Sequence, residues 1–470
     1  MTPSALLAAL AACLGEAHVL TGADAGPYLT DWRRNVTGRA LAVLRPASRD
    51  EVAQCVRLCA AAGVALVPQG GNTGQVAAAT PDASGTAVVL SLLRMNRVRA
   101  LDLDNDTITV EAGCVLQAVQ EAARRAGRLF PLSLGAQGSC TIGGNLATNA
   151  GGTQVLRYGN ARELALGLEV VTPQGEIWDG LRGLRKDNTG YDLRDLYIGS
   201  EGTLGVITAA VLKLYPLPRA QGTALVALDG LPQALQLLQR ARASLGAGLT
   251  AFEVMSAACL RDVTRAFPQQ RMPFADLADG RWCALLELSD NLEPAQAQAQ
   301  ERLEAVLSAA LEAGEAVDAA VAVSGAQSAA FWHLRESITL ALARADACVK
   351  HDISLPASRI PAFVQSTDRA LARAFPGVAM RVFGHLGDGN LHYNLLPPAG
   401  ARHADIQALV HDRVHAAGGS ISAEQGIGQL RVHDLQRYKS EVELALMRRI
   451  KSALDPQGLM NPGKILAARP

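Results

Sequence analysis

The chain has 470 residues, which exceeds the usual size of one compact core and predicts two or three domains. Hydrophobic residues make up 49% and charged residues 19%, a globular composition, and an aromatic share of 4% argues against a stacking platform for single-stranded nucleic acid. Lys and Arg total 44, as do Asp and Glu, so the zero net charge gives no global reason to expect nucleic acid or an anionic membrane as a partner.

The sequence predicts a soluble, cytoplasmic protein. No stretch approaches the roughly 18 uncharged apolar residues that a membrane span needs. The Ala/Leu-rich run at 4–14 has no Lys or Arg before it, so it indicates an amphipathic first helix and not a signal peptide. The eight cysteines are scattered without a CxxC pair, which favours buried thiols in a reducing compartment.

Up to about residue 218, short β-rich runs alternate with glycine turns and helices. We predict strands within 40–46, 64–71, 86–92, 106–113, 165–178 and 203–218. Between the first two, Ser48 and Glu51 form a capping-box pattern and Gly63 closes the predicted helix. This strand–helix–strand order indicates an α/β module.

Pro216 and Pro218 mark a predicted domain boundary, after which helices and strands alternate differently. Helices are expected within 231–246, 294–313, 330–345, 401–417 and 441–453, and strands within 250–256, 282–289 and, as a pair, 380–396. The domains predicted are therefore 1–218, 219–420 and a C-terminal segment at 421–470 that packs back on the first.

Three glycine-rich stretches lie in the first module: PQGGNTGQ at 68–75, LGAQGSCTIGGNLATNAGG at 134–152 and RKDNTGYDLRDLYIGSEGTLGVIT at 185–208. The first directly follows a predicted strand, and consecutive backbone N–H groups in such a turn bind phosphate; a plain tight turn is the alternative. None is a Rossmann GxGxxG between a strand and its helix, so NAD is not indicated. Three such loops in one module favour a single large phosphate-bearing ligand.

Together with LRYGN, GHLGDGNLH and MNPGKIL, these motifs occur in an order that resembles the FAD-linked D-2-hydroxyacid dehydrogenases of the vanillyl-alcohol-oxidase (PCMH-type) superfamily. The resemblance runs from about residue 28 to 466 and is strongest to the D-2-hydroxyglutarate dehydrogenase branch, next to the FAD-linked D-lactate dehydrogenases. It implies an α+β protein: a PCMH-type FAD-binding domain of two α/β subdomains, a ferredoxin-like antiparallel-sheet substrate domain and a C-terminal helical segment.

The same resemblance implies noncovalent FAD along the three glycine-rich stretches. The residues expected to contact it are Pro68, Gln69, Gly70, Gly71, Asn72, Thr73, Gly74, Gln75, Gly138, Ser139, Thr141, Gly143, Gly144, Asn145, Thr148, Asn149, Glu201, Gly202, Gly205, Ile207 and Asn461. Where the family commonly has paired glycines, this chain has Ala77 and Ala78. We expect a mild effect, provided that neither alanine needs a positive φ.

The stretch FGHLGDGNLHYN at 383–394 suggests a metal site. Asp388-Gly389 is the preferred centre of a two-residue hairpin turn, which would place His385 directly opposite His392 with their Cβ atoms about 5 Å apart. Asn394 would project from the same face. Two histidines that merely flank a turn are the alternative.

The family's metal triad maps onto His385, His392 and Glu424, and the expected ion is Zn²⁺ or a similar divalent cation. The family's substrate anchors map onto Arg335, Thr339 and Lys350, with Asn394 added as a substrate-binding and catalytic candidate. A guanidinium grips a carboxylate with two parallel bonds and an ammonium acts as a point charge. A solvated helix face is the alternative for these three.

The sequence departs from the family at Gln425, where the usual SAEHGIG or SAEHGVG has a histidine thought to take the substrate proton. A carboxamide cannot act as a general base near neutral pH, so the proton leaves by another route or the reaction differs. His351 is a speculative substitute, with core packing as the more ordinary role.

The resemblance thus implies an FAD-dependent enzyme that oxidises a D-2-hydroxy acid to the 2-oxo acid by hydride transfer to flavin N5. Two cationic anchors favour a dicarboxylate. The alternatives are a D-lactate or glycolate-type dehydrogenase, a flavin oxidase of another alcohol, or a flavin-binding paralogue that has lost turnover. The expected electron acceptor is an electron-transfer flavoprotein or a quinone-linked chain, and a homodimer is left open.

Overall fold

The computed structural model describes residues 1–274, 277–291, 295–345 and 347–468. The chain forms two compact units. Unit 1 comprises Met1–Gly152, Gly159–Leu217 and Glu424–Pro470, and unit 2 comprises Thr153–Tyr158 and Pro218–Ala423. The six residues from Thr153 to Tyr158 therefore leave unit 1 and return to it.

Helices are mixed with largely antiparallel sheets, in agreement with the predicted α+β class. In chain order they are α1 Pro3–Leu14, α2 Arg49–Ala62, α3 Leu116–Arg125, α4 Ile142–Ala147, α5 Val155–Tyr158, α6 Ala161–Leu164, α7 Arg194–Tyr197, α8 Leu231–Leu245, α9 Ala257–Ala266, α10 Ala295–Glu312, α11 Gly325–Ala343, α12 Ile360–Ala374, α13 His403–Ala416, α14 Val432–Tyr438 and α15 Glu441–Leu454. Short 3₁₀ turns occur at Glu16–His18, Gly22–Tyr28, Gly246–Gly248 and Ala357–Arg359. Among the described helices, none has the length and apolar content that crossing a bilayer requires.

Unit 1 contains a four-stranded and a five-stranded sheet. Its strands are β1 Val19–Leu20, β2 Ala42–Leu44, β3 Leu66–Gln69, β4 Val88–Ser91, β5 Val98–Asp102, β6 Thr107–Glu111, β7 Arg128–Leu129, β8 Ala165–Val171, β9 Ile177–Gly180, β10 Val206–Lys213 and β11 Tyr215–Pro216. The first sheet has the order β1-β2-β4-β3, with β2 and β3 parallel to β4. The second has the antiparallel order β5-β6-β10-β8-β9, and β7 pairs with β11.

Local sequence signals set the ends of α2 much as predicted. The Ser48 hydroxyl accepts a hydrogen bond from the Glu51 N–H at 3.2 Å, and Gly63 ends the helix with φ +67°. The return bond of the predicted capping box differs, because the Glu51 carboxylate accepts from the Ala47 N–H at 2.7 Å and not from Ser48. The helix still begins and ends where its caps predict.

The C-terminal segment forms hydrogen bonds with β3 in unit 1. The Leu66 N–H donates to the Leu459 carbonyl at 2.9 Å, and the Asn461 N–H donates to the Leu66 carbonyl at 2.7 Å. The Asn461 side chain donates to the Ala78 and Glu201 carbonyls. Asn461 thus connects the end of the chain to β3, to Ala78 and to the third glycine-rich stretch at Glu201.

Unit 2 is built on one seven-stranded antiparallel sheet. Its strands are β12 Ala220–Leu228, β13 Leu249–Ser256, β14 Trp282–Asp290, β15 Asp318–Val321, β16 Asp352–Ser354, β17 Ala379–His385 and β18 Asn390–Leu396, in the order β15-β12-β14-β13-β17-β18-β16. One face is covered by α9 and α11, where Leu225, Met255, Leu285 and Phe383 pack with Leu334 of α11. Burying each such side chain stabilises the fold by roughly 1.5–3 kcal/mol.

Candidate active site

The three glycine-rich stretches meet at one cavity of unit 1, with about 590 Å³ of empty space including its mouth. The predicted FAD-contacting residues in its wall are Pro68, Gln69, Gly70, Thr141, Gly143, Gly144, Thr148, Glu201, Gly202, Gly205 and Ile207. Six further wall residues are not among the expected FAD contacts: Ala78, Ala79, Leu92, Ala147, Ser200 and Val206. Mostly small side chains therefore surround the space.

The first two loops approach each other so closely that they require glycine. A Cβ on Gly70 would collide with the Thr141 hydroxyl, and a Cβ on Gly71 would collide with the Ser139 carbonyl. The Thr141 hydroxyl is buried without a hydrogen-bond partner among the described residues. A buried hydroxyl of this kind needs a partner, and a ligand bound in the cavity would supply one. The closely packed glycine loops and the unsatisfied Thr141 hydroxyl in the cavity wall thus fit a large polar cofactor.

The remaining predicted FAD contacts lie outside the cavity wall. They are Gly71, Asn72, Thr73, Gly74, Gln75, Gly138, Ser139, Asn145, Asn149 and Asn461. Several have structural roles: the Asn72 amide donates to the Thr30 carbonyl at 2.8 Å, and the Asn149 amide oxygen accepts from the Arg162 N–H at 3.0 Å. Gln75 accepts from Arg33. These side chains shape the loops.

Ala77 differs from the expectation for this position. It has φ +55°, a left-handed conformation that costs an L-residue about 1–2 kcal/mol, whereas Ala78 has no positive φ. We expected the alanines to have a mild effect provided that neither needs a positive φ, and Ala77 does not meet that condition. The family's glycine would adopt this conformation without the penalty.

Glu201 belongs to the cavity wall, but its carboxylate binds the turn that follows Gln425. It accepts hydrogen bonds at 2.7 Å from the N–H groups of Ile427 and of Gly428. Burial raises the pKa of Glu201, and these two hydrogen bonds oppose that shift. A Cβ on Gly426 would come within 2.6 Å of the Glu201 carboxylate. The second part of the SAEQGIG motif is therefore fixed by a residue of the third glycine-rich stretch.

In unit 2, the strand pair that carries the two histidines has a different register from the predicted one. His385 pairs with Asn390, and His392 pairs with Phe383, so the loop has four residues and not two. The loop closes because the Gly389 N–H donates to the His385 carbonyl at 3.0 Å. The prediction that His385 lies directly opposite His392 was wrong.

The two imidazoles are nevertheless neighbours, because the shift amounts to two residues and leaves both side chains on one face of the sheet. Their ring centroids lie 5.5 Å apart. His385, His392 and Glu424 each offer one ligand atom, and these atoms all lie within 4.8 Å of one another. Two imidazoles and one carboxylate are a donor set that suits Zn²⁺ with an open fourth position.

Each histidine also contacts a buried carboxylate that the sequence did not reveal as functional. The His385 Nδ1 lies 2.6 Å from a Glu253 oxygen, and the His392 Nδ1 lies 3.6 Å from an Asp352 oxygen. Metal-ligating histidines commonly form a hydrogen bond to a carboxylate through their second nitrogen, as His385 does with Glu253, and this leaves Nε2 for an ion; the His392–Asp352 distance is too long for a hydrogen bond. In the sequence, Glu253 is the single acid of the apolar strand TAFEVMS at 250–256, and this pattern does not indicate which residue it contacts.

Burial and neighbouring charges shift the pKa values of His392 and Glu253. Burial lowers the pKa of His392, so its imidazole is neutral near pH 7. Burial alone would raise the pKa of Glu253, but the neighbouring His385 and Arg335 outweigh it and hold the pKa below its ordinary value. Glu253 is therefore a buried carboxylate anion.

The predicted substrate anchors occupy different environments. Arg335 is buried, with its Nε 2.7 Å from the second Glu253 oxygen and its guanidinium 4.7 Å from the centre of the Phe383 ring. Thr339, one turn further along α11, is exposed, and Lys350 is half-buried. Asn394 is buried two residues beyond His392, on the same face of β18.

Gln425, at the position of the family's base, and His351, the substitute considered for it, lie in different surroundings. The half-buried Gln425 accepts a long hydrogen bond of 3.5 Å from Arg431. His351 is buried, with Nδ1 2.8 Å from the Tyr393 carbonyl and its ring centroid 5.4 Å from that of His411. His351 therefore has the environment of a core residue, which favours the ordinary alternative for it.

Comparison with known proteins gives consistent results. The family model "FAD binding domain" matches residues 40–180, and "FAD linked oxidases, C-terminal domain" matches residues 217–465. The chain is 41% identical over 450 residues to D-2-hydroxyglutarate dehydrogenase of Xanthomonas citri pv. viticola, covering 94% of this chain and 93% of that one. It is 39% identical to the mitochondrial D-2-hydroxyglutarate dehydrogenase of Bos taurus, covering 94% and 79%.

Solved structures share the fold at low identity. p-Cresol methylhydroxylase with substrate bound superposes with a TM-score of 0.77 at 15% identity, covering 99% of this chain and 97% of that one. An alkyldihydroxyacetonephosphate synthase gives 0.75 at 18% identity, covering 98% and 86%. The fold and the glycine-lined cavity define an FAD-linked oxidoreductase. The chain belongs to the FAD-linked oxidase family, which confirms the resemblance seen in its motifs.

Proposed function

We propose that the protein oxidises D-2-hydroxyglutarate, or a closely related D-2-hydroxy dicarboxylate, to the 2-oxo acid, with noncovalent FAD as the hydride acceptor. The observation that carries this proposal is the 41% identity to a D-2-hydroxyglutarate dehydrogenase across 94% of the chain. The mitochondrial relative from Bos taurus carries the same name. Near-complete coverage supports extending the activity to the whole chain.

A divalent metal, zinc being the first choice, would be held by His385, His392 and Glu424. The proximity of their ligand atoms supports this, as do the carboxylates at both Nδ1 positions. When bound, FAD supplies hydride acceptance and the ion supplies Lewis acidity that lowers the pKa of the substrate hydroxyl. A hydroxyl acidified by the metal ion would release its proton to solvent water while its C2 hydride passes to FAD, so the reaction would not require a side-chain base at position 425.

Arg335 and Lys350 would bind the two carboxylates of the substrate. The Arg335 Nε donates a hydrogen bond to Glu253, and this contact would fix the orientation of the terminal nitrogens of the guanidinium. Orientation of this kind reduces the entropy lost in reaching the reactive geometry. Two cationic groups favour a dicarboxylate over D-lactate. Reduced flavin would pass its electrons to an electron-transfer flavoprotein or a quinone-linked chain.

The test is anaerobic mixing of the purified yellow protein with D- and L-isomers of 2-hydroxyglutarate, malate and lactate, followed at the oxidised-flavin band near roughly 450 nm. The proposal predicts rapid bleaching by a D-dicarboxylate and little by D-lactate or by any L-isomer. Fast bleaching by D-lactate alone would favour the lactate-type alternative. No bleaching by any of these acids, with zinc added, would contradict the proposal.

A further inference from the structure

One buried carboxylate contacts both a predicted metal ligand and a predicted substrate anchor. Glu253 pairs with His385 across strands β13 and β17, and its two oxygens lie 2.6 Å from His385 Nδ1 and 2.7 Å from Arg335 Nε. Glu253 has no solvent-exposed surface. Among the described residues, the ion pair that Arg335 forms is this one.

We propose that Glu253 is a positioning residue that couples metal binding at His385 to carboxylate binding at Arg335. The inference rests on the proposed function and adds to it a residue that touches neither ligand. One rigid carboxylate fixes the tautomer and ring orientation of His385, and it also fixes the plane of the Arg335 guanidinium. The metal-binding and carboxylate-binding groups therefore have a common support.

The hydrogen-bond inventory explains why a carboxylate is needed here. Glu253 stands between two N–H donors and has two acceptor oxygens. A glutamine would have one acceptor oxygen, and its NH₂ group would face one of the two donors. Glu253→Gln must therefore lose one contact, and it also removes the charge that offsets Arg335 and the bound ion.

Asp352 provides a matched control on the other histidine. It pairs with His392 across β16 and β18, and its carboxylate accepts from Asn390 at 2.9 Å and from the Ala423 N–H at 3.2 Å. It supports the metal site from the side of His392, whereas the Arg335 ion pair is with Glu253. Asp352→Asn should weaken metal binding without disturbing the carboxylate anchor.

The experiment measures two affinities in the FAD-loaded wild type, Glu253→Gln and Asp352→Asn. Zinc affinity is measured by dialysis against metal-buffered solutions, with bound zinc counted by atomic emission. Removing a carboxylate that orients a metal-bound histidine typically costs about 10–100-fold in metal affinity, and both variants should show this loss. If the wild type retains no zinc, the metal part of the proposed function fails, which is distinct from a failure of the coupling.

The second affinity is that of 2-oxoglutarate, measured by calorimetry with zinc held at saturation. In Asp352→Asn, saturating zinc should restore the 2-oxoglutarate affinity to within about threefold of wild type. In Glu253→Gln the affinity should stay at least about tenfold weaker, because the Arg335 orientation is lost whether or not zinc is bound. Equal recovery in both variants would overturn the coupling.

Glu253→Asp keeps the test decisive if the glutamine variant does not fold. Aspartate retains the buried charge, but its side chain is one carbon shorter and cannot reach both His385 and Arg335. The proposal predicts that at least one of the two affinities falls by about tenfold while FAD content stays normal. If Glu253→Asp keeps both affinities, Glu253 serves only the charge balance and the proposal is wrong.

Discussion

Glu253 faces His385 across adjacent strands, and one of its oxygens lies 2.6 Å from the imidazole Nδ1. The two residues are 132 positions apart in the chain. The contact determines which nitrogen of His385 remains for a metal ion, and so it sets the chemistry of a residue that the sequence had singled out.

Replacing either histidine should separate flavin binding from flavin reduction. His385→Ala or His392→Ala removes an imidazole from unit 2, whereas the FAD-binding cavity is lined by residues of unit 1. Each variant should be purified yellow with a normal flavin-to-protein ratio, and its flavin should fail to bleach with D-2-hydroxyglutarate. A variant that loses FAD as well would contradict the prediction that FAD binding does not require the imidazole.

Gln425→His should restore the base that the family uses. We expect flavin reduction to accelerate by at least about tenfold near neutral pH, within the range that general-base catalysis provides. The rate should also acquire a rise with pH through the ordinary histidine range, near pH 6.5. Gln425→Ala is the control and should lack both effects. An unchanged or slower rate in Gln425→His would show that the proton leaves by a route that does not use this position.

Ala77→Gly should stabilise the protein. Ala77 has φ +55° and is buried, so glycine removes a strain of about 1–2 kcal/mol while making the unfolded chain more flexible, for a net gain of roughly 0.5–1 kcal/mol. Ala78→Gly is the matched control, since Ala78 lacks a positive φ and should lose a similar amount. Thermal unfolding of the two variants should therefore shift in opposite directions, and parallel shifts would contradict the strain at Ala77.

The metal-free protein should lose stability as the pH falls below about 6.5. Because the pKa of His392 is lowered in the folded state, the unfolded chain binds an extra proton in this window, so stability decreases toward acid by at most about 1.4 kcal/mol per pH unit. Glu253, whose pKa is also lowered, adds to the loss below about pH 4.5. Urea midpoints between pH 7.5 and 5 should fall for wild type and less steeply for His392→Gln. Equal slopes would refute the assignment to His392.

For the strand pair that carries His385 and His392, the sequence identified the two histidines but predicted the wrong strand register. The Asp-Gly turn signal indicated a hairpin, yet the loop contains four residues, because hydrogen bonds to the His385 carbonyl close it and the two added residues, Leu386 and Gly387, both lie on the N-terminal side of Asp388-Gly389. A shift of two residues keeps side chains on their faces, so the inference that the histidines are neighbours held although their register was wrong.

The parts missed from the sequence depend on distant strand pairing. Glu253 reads as a lone acid in an apolar strand and Asp352 as an acid that follows Lys350 and His351, and their contacts with the histidines form only when β13 pairs with β17 and β16 with β18. Likewise, Ala77 gave no sign of its positive φ, since that conformation is imposed by the fold around it. Caps such as Ser48 and Gly63 were predictable because their partners lie within one helical turn.

The most direct test of the whole account is the zinc dependence of flavin reduction by D-2-hydroxyglutarate under anaerobic stopped-flow conditions. The protein is first depleted with a chelator and then reconstituted with stoichiometric zinc, with FAD content checked at each stage. The account predicts that depletion slows bleaching by at least about 10²-fold with FAD still bound, consistent with the loss of metal-ion catalysis, and that zinc restores the rate. An undiminished rate in the zinc-free, FAD-loaded protein would contradict it.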